Sequence, residues 1–184
     1  KMCALVGGHL GIPASDVIVA STGVIGQPLD LTPIASGMEA LVQGLEPDTT
    51  AAAEAIMTTD VRLKAVAVEF EVGGTVARLG GIAKGSGMIH PNMATMLVFL
   101  TTDAAITPPM LRKALSMDVK RSFNRVSVDG DTSTNDMCAI LANGLAGNPE
   151  IASDGADFDA FREALNAVTV ELCKMIARDG EGAT

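Results

Sequence analysis

The stretch GIAKGSGMIHPNMATMLVFL, residues 81 to 100, concentrates residue types that could do chemistry. A lysine, Lys84, is followed by the glycine-rich Gly85-Ser86-Gly87 and then by Ala94-Thr95 at the mouth of an apolar run. An internal threonine is a poor nucleophile, because its hydroxyl has no adjacent base. Cleaving the preceding peptide bond changes this, since the freed α-amine, with a pKa of about 8, sits beside the hydroxyl and can take its proton. Such self-cleavage starts with attack of the hydroxyl on the preceding carbonyl. That step favours a small residue there, as Ala94 is, and a strained approach, which the Gly, His and Pro residues upstream supply. The oxyanion needs donors, and Ser21-Thr22-Gly23 at the end of an apolar run offers a hydroxyl and a backbone N–H.

Other chemistries fit the sequence less well. A phosphate-binding P-loop places its lysine after the glycines, and Lys84 precedes them; a dinucleotide fingerprint needs a further glycine where Met88-Ile89-His90 stands. Asp129 to Asp136, DGDTSTND, opens like a calcium loop, but Thr134 replaces the required glycine and Ile140 the closing glutamate. That loop reads instead as a turn capping a following helix through Asp131 or Thr132. His9 and His90 are the only histidines, too few for a dedicated metal site, and no G-x-S-x-G elbow supports a serine triad. Cys3, Cys138 and Cys173 match no paired metal spacing and read as buried thiols.

Several elements must position these residues. MCALVGGHLGI reads as the tail of a helix closed by Gly11 and Pro13. DVIVAST, residues 16–22, has the β-branched, continuously apolar character of a buried strand. LTPIASGMEALVQGL is a helix with Thr32 as N-cap and Pro33 in its first turn, and DTTAAAEAIMTTD a short helix capped by Asp48 or Thr49. KAVAVEFEV and TVARLGGIAK form a hairpin around Gly73-Gly74. TMLVFLTTD is a third strand, buried on both faces. TPPMLRKALSMDVKRSF is a helix capped by Thr107, TSTNDMCAILANGL another helix, and DFDAFREALNAVTVELCKMIARDG a long amphipathic helix ended by Gly180. This order lacks a regular βαβ rhythm and predicts a layered α/β (α+β) sandwich with mixed or antiparallel sheets.

Composition narrows the class further. The chain has 184 residues, 48% hydrophobic and 19% charged, with a net charge of −9, 3% aromatics and neither Trp nor Tyr. The core is therefore expected to be built from Ala, Val, Ile, Leu and Met. The acidic balance argues against nucleic-acid binding, because no basic stripe is present to displace phosphate counterions. No apolar run approaches the ~20 residues of a membrane span, which predicts a soluble, cytoplasmic protein without membrane partners. The abrupt ends predict a segment of a longer polypeptide.

AKGSGMIHPNMATML resembles the self-processing signature of the ornithine acetyltransferase (glutamate N-acetyltransferase) family of arginine biosynthesis. STGVIG (21–26), IMTTD (56–60), SVDGDTSTND (127–136) and RDGEGAT (178–184) agree with the same family in order. The resemblance implies a self-processing, aminopeptidase-like fold and cleavage at Ala94-Thr95. Residues 1–94 would then end an α subunit and 95–184 begin a β subunit, within one intertwined catalytic domain. It further implies that Thr95 is the nucleophile carrying an acetyl group from N-acetylornithine to glutamate. By the same resemblance Thr22 and Gly23 form the oxyanion hole. Thr58 or Thr59, with Lys84, binds the substrate backbone or carboxylate, and Glu181 holds the ornithine amine. It implies no resident cofactor and no metal, with acetyl-coenzyme A at most a donor substrate, and αβ heterodimers that pair further. A self-processing aminopeptidase or amidohydrolase, with water as acceptor, and a non-catalytic amino-acid-binding module remain the alternatives.

Overall fold

The computed structural model describes residues 1–24, 26–47, 50–89, 96–130 and 135–182. These fall into two units, Lys1–Thr50 and Ala51–Thr184. The expected caps Asp48, Thr49, Asp131 and Thr132 lie outside the described residues.

In the first unit α1 (Met2–Leu10) packs on α2 (Thr32–Gln43). As expected, α1 ends at Gly11, whose φ of 69° suits a residue without Cβ. At the start of α2 the cap differs from expectation. Thr32 is already helical, and its N–H donates to the Asp30 carboxylate at 2.9 Å. The expected strand over 16–22 does not form: no described strand pairs with it, and Ile18 is 59% exposed. An apolar β-branched run becomes a strand only where a neighbour takes its backbone donors and acceptors.

The second unit holds α3 (Thr50–Ala55) from its second residue on, β1 (Lys64–Val72), β2 (Thr75–Lys84), β3 (Leu97–Thr102), α4 (Pro108–Val119), β4 (Met137–Ala142) and α5 (Ala156–Arg178). The strands form one mixed sheet in the order β1-β2-β3-β4, antiparallel except for the parallel β3–β4 pair. Gly73 and Gly74, with φ of 56° and 74°, make the two-residue turn between β1 and β2, and the Gly73 N–H donates to Asp157 at the start of α5. The α+β class and mixed sheet agree with expectation.

One expected helix is a strand. MCAILA pairs in parallel with β3 from Met137↔Leu97 to Ala142↔Thr102. A six-residue apolar run is long enough for a strand and too short to declare a helical period, so the partner decides. The core also differs in composition. Phe123, Phe158 and Phe161 are fully buried among Leu, Val and Ile, and Phe70 meets Phe161 edge to face at 6.0 Å between ring centres. Three of the five phenylalanines thus join the aliphatic core. Phe158, Phe161, Leu165, Val168, Leu172 and Ile176 form the buried stripe of α5, which lies on β1 and β2. No helix among the described residues is long and apolar enough to cross a membrane.

Candidate functional site

The hairpin brings the first residue of β1, Lys64, opposite Ala83, next to Lys84 at the end of β2. Alternation along β1 puts Lys64 on the same face as Val66, Val68, Phe70 and Val72, so a lysine enters an otherwise apolar face. It is 1% exposed. Its ammonium donates to Asp60 Oδ1 at 2.6 Å, to Asp179 Oδ2 at 2.5 Å and to the Arg62 carbonyl at 3.3 Å. The two carboxylates are themselves tied to backbone. Asp60 accepts the Gly85 N–H at 2.7 Å and the Thr58 N–H at 3.1 Å; Asp179 accepts those of Val61 and Arg62. Three turns, the one after α3, the glycine loop after β2 and the one after α5, therefore meet on one buried ion cluster.

Thr58, Thr59 and Glu181 lie on these turns, and Lys84 ends the strand that enters the glycine loop. Thr59 Oγ1 and Ser86 Oγ are 2.7 Å apart, and the Glu181 N–H donates to the Ser86 carbonyl at 2.7 Å. Glu181 presses its carboxyl against Gly87: a Cβ there would lie 2.9 Å from its Cδ and Oε1. Lys84 is 3% exposed, and among the described residues its ammonium makes no hydrogen bond or ion pair. Burial pushes the Lys84 pKa below the ordinary 10.5, with Asp60 opposing and Lys64 adding to the fall. For Asp60, burial pulls the carboxyl up, but the Gly85 N–H, Lys64 and the Thr58 N–H outweigh it and hold it below the usual range. A largely buried cation with unspent donors, at the strand end next to a loop that carries hydroxyls and meets one carboxylate, suits a small zwitterionic or anionic ligand.

The contact at Gly87 gives a clean perturbation. The atoms in the way are the far end of a flexible side chain, so Gly87→Ala should displace Glu181 and leave the fold intact. The expected result is an unchanged urea midpoint and about tenfold weaker binding of a ligand with a cationic tail, the size of one charge-assisted contact.

Ala94 and Thr95, the expected scissile pair, lie outside the described residues, but both flanks of that segment are described. Asp129 accepts the N–H groups of Met88, at 2.5 Å, and of Ile89, at 3.0 Å, and the Ile89 carbonyl accepts the Val128 N–H. Asp136 Oδ1 accepts the Met96 N–H at 2.6 Å, and the Met96 carbonyl accepts the Met137 N–H. Burial pushes the Asp136 carboxyl up, against the Met96 N–H. Met88 has a φ of 50°, the one positive value at a non-glycine among the described residues, and this strain falls at the approach to the segment. Asp129 and Asp136, at the two ends of the loop expected to cap a helix, thus hold the chain on both sides of the segment that contains Ala94 and Thr95.

Thr22 and Gly23 belong to the first unit, on the loop leading to α2, Thr22 half-buried and Gly23 exposed. Sequence reasoning missed Asp60, Lys64, Ser86, Asp129, Asp136 and Asp179. Only Lys64 carried a local signal, as the charged member of an inward-facing alternating set. Burial pushes the thiols of Cys138 and Cys173 up to about 12, which makes both inert at neutral pH. Among the described residues no three His, Cys, Asp or Glu side chains converge as metal ligands would. A cavity of about 440 Å³ lies between α4 and α5, lined by Asp118, Arg121, Arg162 and Asn166 among others, and includes none of the expected site residues.

The model of the ArgJ family matches residues 1–184. The arginine biosynthesis bifunctional protein ArgJ of Symbiobacterium thermophilum is 55% identical over 185 residues, covering 100% of this chain and 46% of that protein. ArgJ 1 of Clostridium acetobutylicum is 53% identical over 177 residues, covering 96% and 43%. The ArgJ of Listeria monocytogenes is 52% identical over 178 residues, covering 95% and 44%. The chain thus spans less than half the length of these relatives. A crystal structure of the arginine biosynthesis bifunctional protein ArgJ from Bacillus halodurans is 50% identical, with a TM-score of 0.45 over 47% of this chain and 40% of that one.

Proposed function

This chain belongs to the ArgJ family, and from that premise we propose that it is part of an acetyltransferase of arginine biosynthesis that acts in the cytoplasm through Thr95. The Thr95 hydroxyl attacks the Ala94 carbonyl, the C–N bond breaks to leave an ester, and water hydrolyses it. The products are an Ala94 carboxylate and a Thr95 carrying a free α-amine. That amine then accepts the hydroxyl proton while Thr95 Oγ attacks the acetyl carbonyl of N-acetylornithine. Thr22 and Gly23 donate to the oxyanion, ornithine departs with the proton, and acetyl-Thr95 remains. The amine of glutamate attacks this ester, giving N-acetylglutamate and restoring the threonine.

In this reading Lys84 and the hydroxyl of Thr58 or Thr59 receive the α-carboxylate, and Glu181 pairs with the ornithine ammonium. The chemistry needs no resident metal or cofactor; acetyl-coenzyme A would enter only as an alternative donor. Cleavage would leave residues 1–94 and 95–184 on separate α and β subunits that stay paired and assemble further. The observation that supports the reading best is Lys84, 3% exposed and without a hydrogen bond or ion pair among the described residues, at the end of the strand that runs into the loop where Ser86 meets Thr59 and Gly87 meets Glu181. The test is ornithine release from N-acetylornithine with and without glutamate. Release that requires glutamate and yields N-acetylglutamate is expected; release indifferent to glutamate would make the protein an amidohydrolase.

A further inference from the structure

Ser86 is 1% exposed, and its hydroxyl has one partner among the described residues, Thr59 Oγ1 at 2.7 Å. Each of the two hydroxyls carries a single proton, so only one of them donates across this contact. Burial decides which. Ser86 is sealed from solvent and has no second acceptor for its proton among the described residues, whereas Thr59 is exposed and can give its own outward. A buried O–H without an acceptor is costlier than an idle lone pair, so Ser86 donates and Thr59 accepts. The contact is not needed to tie the two segments together. Asp60, the residue after Thr59, already does so by accepting the N–H of Gly85, the residue before Ser86, at 2.7 Å. What the hydroxyl pair adds is an orientation for Thr59.

We propose that Ser86 is a positioning residue for carboxylate recognition: its hydroxyl donates to Thr59 Oγ1 and so leaves the Thr59 proton for the substrate carboxylate. The assignment rests on the reading of this loop as the substrate site, and of the two threonines named there it selects Thr59. A carboxylate only accepts hydrogen bonds, so a hydroxyl that had spent its proton on Ser86 would have nothing to give it. A hydroxyl that is itself accepting a hydrogen bond is a stronger donor, and a charged acceptor gains most from it. The Ser86 carbonyl works separately. It accepts the Glu181 N–H at 2.7 Å through the backbone, so altering the Ser86 side chain leaves that contact in place.

The test compares L-ornithine with its α-amide, L-ornithinamide, by calorimetry on the full-length protein. Both offer Glu181 the same cationic tail, and neither carries an acetyl group to transfer. The ratio of the two affinities on one protein also cancels any change in the folded fraction. Ser86→Ala should weaken ornithine about fivefold, the size of one neutral hydrogen bond, and leave ornithinamide within about twofold. Thr59→Val removes the donor altogether and should weaken ornithine about tenfold or more, the size of a hydrogen bond to a charged group. Because both changes act through one proton, adding S86A to T59V should weaken ornithine no further. A residue that only supports the loop would weaken both ligands alike in S86A, and that result would overturn the proposal. So would additive losses in the double variant, or a ratio lost in Thr58→Val and kept in T59V. Thr59 is exposed, so T59V folds even where S86A does not, and native-like ornithine binding by it would be equally fatal. Lys84→Met separates the two levels. Native-like ornithine binding by K84M would remove the carboxylate-site reading and this proposal together, whereas a weakened K84M beside a native-like S86A would remove the proposal alone.

Discussion

Thr95→Ala is expected to leave the chain uncut after Ala94 and to abolish acetyl transfer. Both losses come from one atom. Without Oγ nothing attacks the Ala94 carbonyl, so no α-amine is released; without the amine and Oγ no acetyl ester can form. Because the two functions are consecutive, the effect should be the whole of the covalent pathway, roughly 10⁴-fold or more in rate. Intact mass distinguishes the states directly, as one chain against two fragments parted between residues 94 and 95. Thr95→Ser keeps a hydroxyl in place and should still cleave and transfer, more slowly. Persistence of cleavage or transfer in the alanine variant would overturn the assignment of Thr95. Asp129 and Asp136 give the prediction a local foundation, since each fixes backbone N–H groups immediately outside the segment that holds the scissile bond.

How far such a device can be read from the residues depends on the range of the signals that encode it. The β1–β2 hairpin was legible because the turn residues lie between the strands they join, and α5 because its apolar period repeats over 23 residues. β4 was not, since MCAILA is short and apolar throughout, and only pairing with β3 makes it a strand. Residues 16–22 failed in the opposite sense, carrying strand-like composition without a described partner. Thr58, Thr59, Lys84 and Glu181 could be named through family resemblance, yet what joins them could not. Asp60 and Asp179 are 119 residues apart along the chain and look like ordinary turn residues until Lys64 is found between them. The loop of Asp129 suggests a local role in capping the next helix, whereas the Asp129 carboxylate accepts from Met88 and Ile89 on another loop. Local chemistry shows in sequence; the pairing of remote charges shows only in the fold.

Lys64→Met should be the most destabilising single change among the site residues. Methionine nearly matches the volume of lysine, so cavity formation contributes little and the effect isolates charge. It leaves the Asp60 and Asp179 carboxylates facing each other with no cation between them, in a position where both side chains are fully buried. Removing one partner from a buried ion cluster costs about 3–5 kcal/mol, which should appear as a large drop in the urea midpoint. The pH dependence has a definite sign. Asp60 is held below its ordinary 3.8 in the native protein, so its contribution is present above that pH and is lost as pH falls through its folded value. In the variant the repulsion is relieved when a carboxylate takes up a proton, so the gap between native and K64M should narrow toward acid pH. Asp179→Asn added to K64M removes one of the two opposed charges. The double variant should therefore be more stable than K64M alone at neutral pH, a non-additivity that only direct coupling between these side chains produces.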